Sequence, residues 1–265
     1  MNAQALLERF SEQQVLGFTL VLARVIPLFL LAPLFSSKSF SPRVRGVAAV
    51  ALAIGISPAA THALAGHRLP VEVWALAGLV GKELLVGMAF AFSLGALFAA
   101  LSVAGTFLDT SIGYSFGSIV DPITGSSAAV LSQLYALIGV LIFIAIGGDA
   151  WVVQGIARTY DLIPLESFPS LGLLTAGAVE AFAGIFGAAI QVAGPVLLAL
   201  ILTDAAFGMV SRVVPQLNVF AVGFAAKIVV GLLVLGVTLP FVAGWLSNEL
   251  EISVSTALRT LKVDG

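Results

Sequence analysis

The chain has 265 residues, of which 60% are hydrophobic and only 10% are charged, against about 25% charged in an ordinary soluble domain. A formal net charge of −2 leaves no basic surface for nucleic acid and no acidic tail for a cationic partner. The absence of cysteine excludes disulfides, thiol catalysis and thiolate metal sites, so the composition predicts an all-α membrane or membrane-complex protein.

The leader carries Glu8, Arg9 and Glu12, and no small-residue cleavage site closes the first apolar run, so that run is expected to be retained. It covers 15–35 and is long enough for a hydrocarbon core of about 30 Å at about 1.5 Å per residue. Arg24, Pro27 and Pro33 interrupt it, and an arginine facing lipid in mid-helix is costly, so Arg24 is expected to face protein or the membrane interface. The basic segment SSKSFSPRVR, 36–45, joins this run to a second one, 46–64, in a helical hairpin, with a kink or break expected at Ser57-Pro58. His62 and His67 stand five residues apart, off a common helix face, and read as solvated loop residues.

A third run covers 71–103. Its Gly87, Ala91, Gly95 and Ala99 recur every four residues and predict a ridge on which another helix can pack closely. Lys82 and Glu83 are neighbours in sequence and so point apart, and each needs a partner on another helix or in water. A buried charge network drawing on Arg24, Lys82, Glu83, Glu180 and Lys227 is the first reading. A proton pathway is the alternative, although no second acid or histidine stands at helical spacing from Glu83.

Between the third and fourth runs lies GTFLDTSIGYSFGSIVDP, 105–122. Gly105, Gly113, Gly117 and the Asp121-Pro122 turn predict an ordered non-helical loop. Its apolar side chains predict that it packs against protein or lines an internal passage. A static, space-filling loop satisfies the same composition.

The fourth run, 128–148, ends at Gly147-Gly148-Asp149, and a connector with an amphipathic helix around 151–160 follows, expected to lie along an interface or against a partner. The fifth run, 176–202, contains Glu180, Gln191 and Gly194-Pro195. A second polar break begins at Thr203-Asp204 and includes GMVSRVVPQLNVF, 208–220. The sixth run, 219–245, carries Lys227 and Pro240, and a polar tail with a surface helix around 249–261 closes the chain. Six single spans would divide the extramembrane cations into Arg9, Arg68, Arg158, Arg259 and Lys262 on one side and Lys38, Arg43, Arg45 and Arg212 on the other. That division sets no orientation by the positive-inside rule, so either some runs do not span or partner subunits cover the helices.

The sequence has no Walker glycine loop, no HExxH and no GxSxG, and a non-enzymatic protein without cofactor or metal is expected. A small-solute secondary transporter stays open, because broken helices can build a midplane site, but the two halves show no repeat with matching breaks.

Three stretches carry a resemblance: ARVIPLFLLAPLFSSKSFSPRVR near the amino terminus, SIGYSFGSIVDPITG followed by VLSQLYALIGVLIFIAIGG, and FGMVSRVVPQLNVFAVGFAAKI. Together they resemble the FliR family of flagellar export-gate proteins and their injectisome relatives over nearly the whole chain. The resemblance implies one gate domain over 1–265 in the bacterial inner membrane at the flagellar basal body. It also implies assembly with FliP-like and FliQ-like subunits, further FlhB-like and FlhA-like components, and passage of unfolded export substrates. The matching 105–122 loop is then the channel plug, with Phe107, Ile112, Tyr114, Phe116 and Ile119 sealing the lumen, Gly105, Gly113 and Gly117 as flexible points, and Asp121-Pro122 ending the loop. Arg212, Pro215, Gln216 and Asn218 have two readings, a polar contact to partner subunits or the termination of two helices.

Overall fold

The computed structural model describes residues 12–32, 35, 41–62, 72–114, 129–165, 167–216 and 218–260. Of the described residues 90% are helical, and no strand is found among them. The helices are α1 (Glu12–Leu31), α2 (Pro42–His62), α3 (Val73–Ile112), α4 (Val130–Ala145), α5 (Gly148–Leu162), α6 (Leu171–Val213) and α7 (Val219–Thr260).

Four of them, α1, α3, α6 and α7, are long and apolar enough to cross a membrane, and α4 with α5, bent by 75°, makes a fifth if the pair forms one span. The six apolar runs thus correspond to four or five candidate spans, in line with the expectation that some runs do not span. The second run drops out of either count: α2 carries Arg43 and Arg45 in its first turn and is not among the candidate spans. The 40, 43 and 42 residues of α3, α6 and α7 extend about 60 Å or more at about 1.5 Å per residue, roughly twice a hydrocarbon core. Pro58 does not break α2, which continues to His62, and Pro195 and Pro240 likewise lie inside continuous helices. A proline removes one backbone bond, which a long, packed helix tolerates.

The chain divides into two compact units. The first comprises Met1–Gly95, Gly147–Ala181 and Leu250–Gly265. Here α1 buries Leu20, Val21, Arg24, Val25 and Leu28, one helical face, and lies along the small-residue ridge of α3. A Cβ on Gly87 would come within 2.9 Å of the Arg24 carbonyl carbon, and one on Gly95 within 3.5 Å of the Leu31 carbonyl oxygen. Because Arg24 to Leu31 tracks Gly87 to Gly95, the two helices run parallel, with α2 making the return and packing on α1 and α5. Gly155 of α5 faces Phe90 of α3 and Val254 of α7, so the amphipathic connector is a packed element of this unit.

The second unit comprises Ala96–Ile146 and Phe182–Glu249. The end of α3 and α4 form an antiparallel hairpin, with Phe98 edge-on to Phe143 at 5.4 Å and Leu101 over Gly139. A second antiparallel pair joins α6 to α7 through Phe207 over Gly223, Leu200 over Gly231, and the Trp245 indole N–H donating to Gln191 at 3.2 Å.

Candidate functional site

In the 105–122 stretch the structure corrects the expected non-helical loop. Residues 105–112 are the last turns of α3, and the chain leaves the helix only at Gly113, whose φ of 103° lies in the region open to glycine. Gly105 is helical and serves close packing: a Cβ there would lie 2.6 Å from the Leu131 carbonyl oxygen and the Ser132 nitrogen of α4. Ile112 is buried, with its Cδ1 over Gly231 of α7, and Phe107 is half-buried on α3. Glycine supplies either conformational freedom or room for a neighbouring backbone; here Gly113 does the first and Gly105 the second. Tyr114 follows, edge-on to Phe224 of α7 with centroids 6.3 Å apart. Phe116, Gly117, Ile119, Asp121 and Pro122 lie outside the described residues.

Asp109, inside this stretch, and Ser132, beyond it, were not singled out by sequence. The N-cap position of α4 is Ala129, which has no side chain to cap the helix. Asp109 of α3, 2% exposed, takes that role from across the hairpin: its two carboxylate oxygens accept the Leu131 N–H at 2.9 Å and the Ser132 N–H at 3.0 Å. Ser132 also donates through its hydroxyl to the Ser102 carbonyl at 2.9 Å. At the other helix end, Lys227 of α7 donates to the Ser111 carbonyl at 3.3 Å and pairs with Asp204 of α6 at 2.6 Å. The one sequence signal for these roles is an isolated acid in an otherwise apolar helix, which needs a partner somewhere.

In the first unit the structure brings together three of the five residues expected in a buried charge network. Arg24 donates through Nε to Glu83 Oε2, through Nη1 to the Thr159 hydroxyl at 3.0 Å, and through Nη2 to the Ile163 carbonyl at 2.9 Å. Lys82 Nζ lies 2.6 Å from Glu83 Oε1 and donates to the carbonyls of Leu165 at 2.8 Å and Pro164 at 3.3 Å. The Tyr160 ring covers the guanidinium at 3.9 Å. The two cations thus meet one carboxylate and the carbonyls at and just beyond the end of α5, where the helix dipole is negative. Glu180 is exposed on α6, and Lys227 belongs to the pair with Asp204 described above.

Arg212, Pro215 and Gln216 are exposed at the turn between α6 and α7, and Asn218 accepts the Ala221 N–H at 3.2 Å, capping α7. Asn218 therefore starts a helix, while Arg212 and Gln216 face outward. Among the described residues no group of three histidine or acidic side chains could hold a metal ion. The described geometry holds helix ends in place.

Residues 15–252 match the family described as bacterial export proteins, family 1. The chain is 27% identical over 222 residues, 84% of each protein, to the flagellar biosynthetic protein FliR of Escherichia coli strain K12. It is 30% identical to FliR of Bacillus subtilis over 190 residues, 71% of this chain and 73% of that one. It is also 28% identical over 222 residues, 83% of this chain and 80% of the relative, to the surface presentation of antigens protein SpaR of Salmonella typhimurium.

Proposed function

The chain belongs to the bacterial export proteins, family 1, and from that membership we propose that it is a structural subunit of the flagellar type III export gate. The observation that carries this reading is the match over 15–252, nearly the whole chain, with relatives named FliR on one side and SpaR on the other. Its work is mechanical: to build part of a membrane channel for unfolded substrates, in the inner membrane, without catalysing a reaction.

Physical features of the chain support an assembled role. Phe182, Phe186, Ile190, Leu198, Ile201 and Leu202 of α6 are exposed, as are Leu233, Val237 and Phe241 of α7. In helices about twice as long as a bilayer core, such surfaces lie partly beyond the reach of lipid, where other subunits must cover them. FliP-like and FliQ-like subunits are the proposed neighbours, with FlhB-like and FlhA-like components completing the apparatus. Arg212 and Gln216, outward-facing at the α6–α7 turn, are proposed polar contacts to those neighbours.

The plug reading takes a shorter form than the sequence alone suggested. Its movable part begins after Ile112, with Gly113 as the pivot and Tyr114, Phe116 and Ile119 as sealing side chains. An apolar plug excludes water and ions, and a glycine at its root keeps displacement inexpensive.

Affinity purification of the full chain from its own cells tests the assignment. It is expected to recover a large hetero-oligomer containing the FliP-like and FliQ-like subunits, with less of both when Arg212→Ala is the bait. Recovery alone, or as a homo-oligomer, would overturn the gate reading in favour of a small-solute transporter. Undiminished partners in the variant would restrict Arg212 to ending α6.

A further inference from the structure

In the second unit α6 and α7 run antiparallel, so residues far apart in sequence stand at one level along the pair. Asp204 and Lys227 mark a first level through their ion pair at 2.6 Å, and the Asp204 side chain is 55% exposed. Gln191 and Trp245 mark a second level through the indole N–H bond. Just past it α7 exposes Ser247 and Asn248 and then carries Glu249. Between the two levels neither helix has a charged residue, from Gln191 to Thr203 on α6 and from Ile228 to Asn248 on α7. The α7 stretch extends about 30 Å at about 1.5 Å per residue, the thickness of a hydrocarbon core. Its exposed side chains are apolar up to Trp245, as are those of α6 beyond Gln191. Leu198, Ile201 and Leu202 of α6 and Leu233, Val237 and Phe241 of α7 are each more than half exposed.

We propose that this belt of α6 and α7 faces the acyl chains of the bilayer, with Asp204 and Lys227 at one headgroup boundary and Gln191 and Trp245 at the other. By composition alone a membrane can sit at several heights along helices of 43 and 42 residues. The pairing of the two helices removes that freedom. A bilayer displaced toward the α6–α7 turn would take the exposed Asp204 carboxylate into hydrocarbon, and one displaced the other way would take in Asn248 and Glu249, both costly. Tryptophan suits a boundary, because its ring is apolar and its N–H is polar. A protein partner can pair a charge inside its interface, so it would set no such limits; two polar edges one hydrocarbon thickness apart are what a bilayer requires. The exposed surface of α6 is thereby divided. Phe182 and Phe186, edge-on at 6.4 Å, lie beyond the Gln191 edge and Val213 lies beyond the Asp204 edge, which leaves them to other subunits. That assignment to subunits rests on the gate reading above, whereas the height of the belt rests on the charges.

The chain has no cysteine, so a single introduced thiol reports one position. Leu198→Cys, Val237→Cys, Phe186→Cys and Val213→Cys are each labelled with bimane in the assembled complex, which is then reconstituted in phosphatidylcholine bilayers. Quenching is read with a nitroxide on the acyl chain and with aqueous iodide. Labels at 198 and 237 are expected to lose most of their emission to the nitroxide and none to iodide, and labels at 186 and 213 to ignore the nitroxide. Shielding of 198 and 237 from both quenchers would mean that a subunit covers the belt, and iodide quenching there that water does; either overturns the proposal. Nitroxide quenching at all four positions would overturn its edges. A second readout needs no label: Trp245 emission, taken as the difference between wild type and Trp245→Phe, should fall most with lipids brominated near the headgroup. Stronger quenching by bromines at the chain ends would overturn the boundary. Subunit composition of the same preparation judges the gate reading separately, since absence of the FliP-like and FliQ-like subunits would overturn that reading and not the belt.

Discussion

The two charge clusters of this chain are built to different standards. Arg24 and Glu83 are 0% exposed and Lys82 is 3% exposed, whereas the Lys227 and Asp204 side chains are 20% and 55% exposed. In the first cluster each cation has the carboxylate and at least one carbonyl or hydroxyl as partner. Burying ions is tolerable only when the network is nearly complete, because removing one partner strands the others in a medium that cannot solvate them. The second cluster has no such constraint. Water shares in its solvation, so its worth to stability is small and its value lies in where it places an ammonium. Burial thus separates a cluster that holds the fold together from one that aims a charge at a helix end.

The sharpest way to break this contrast is Glu83→Gln, which keeps the shape and leaves Arg24 and Lys82 without their anion. It should cost about 3–5 kcal/mol, a large part of a typical total of about 5–15 kcal/mol, and appear as a much lower melting temperature in detergent or failure to accumulate. An unchanged melting temperature would show the triad to be dispensable. Gly105→Ala comes next. The atoms that a Cβ would meet are backbone atoms of Leu131 and Ser132, which cannot rotate away as a side chain can, and a loss of about 1–3 kcal/mol is expected from overpacking. If Gly105 were only a flexible point, alanine would leave stability intact or improve it. Lys227→Ala should have the smallest effect, about 0–1 kcal/mol in thermal unfolding; a loss as large as that of Glu83→Gln would erase the distinction between the clusters.

How far the sequence could be read follows the same physics. The Gly87–Gly95 ridge was legible because close helix packing needs small residues at a fixed period, and the structure seats α1 along it. That Arg24, Lys82 and Glu83 required partners was legible from their placement in apolar helices. The carbonyls of Ile163, Pro164 and Leu165 that complete the set were not, since a backbone acceptor leaves no mark in a sequence. The 105–112 turns of α3 were not legible because glycine signals a turn and a close approach with the same letter, and of Gly105 and Gly113 only the second has a positive φ. The role of Asp109 was not legible, since its purpose is set by amides in α4 that become its neighbours only when the hairpin closes. Asp204 and Lys227 were each visible in sequence, but the antiparallel pairing of α6 with α7 is what makes them a pair.

The most direct test is the resting ion conductance of the assembled complex in planar bilayers, with residues 115–122 deleted and the chain left whole through Tyr114. A complex of unchanged subunit composition that leaks ions at rest is expected. A fully assembled complex as tight as wild type would contradict it.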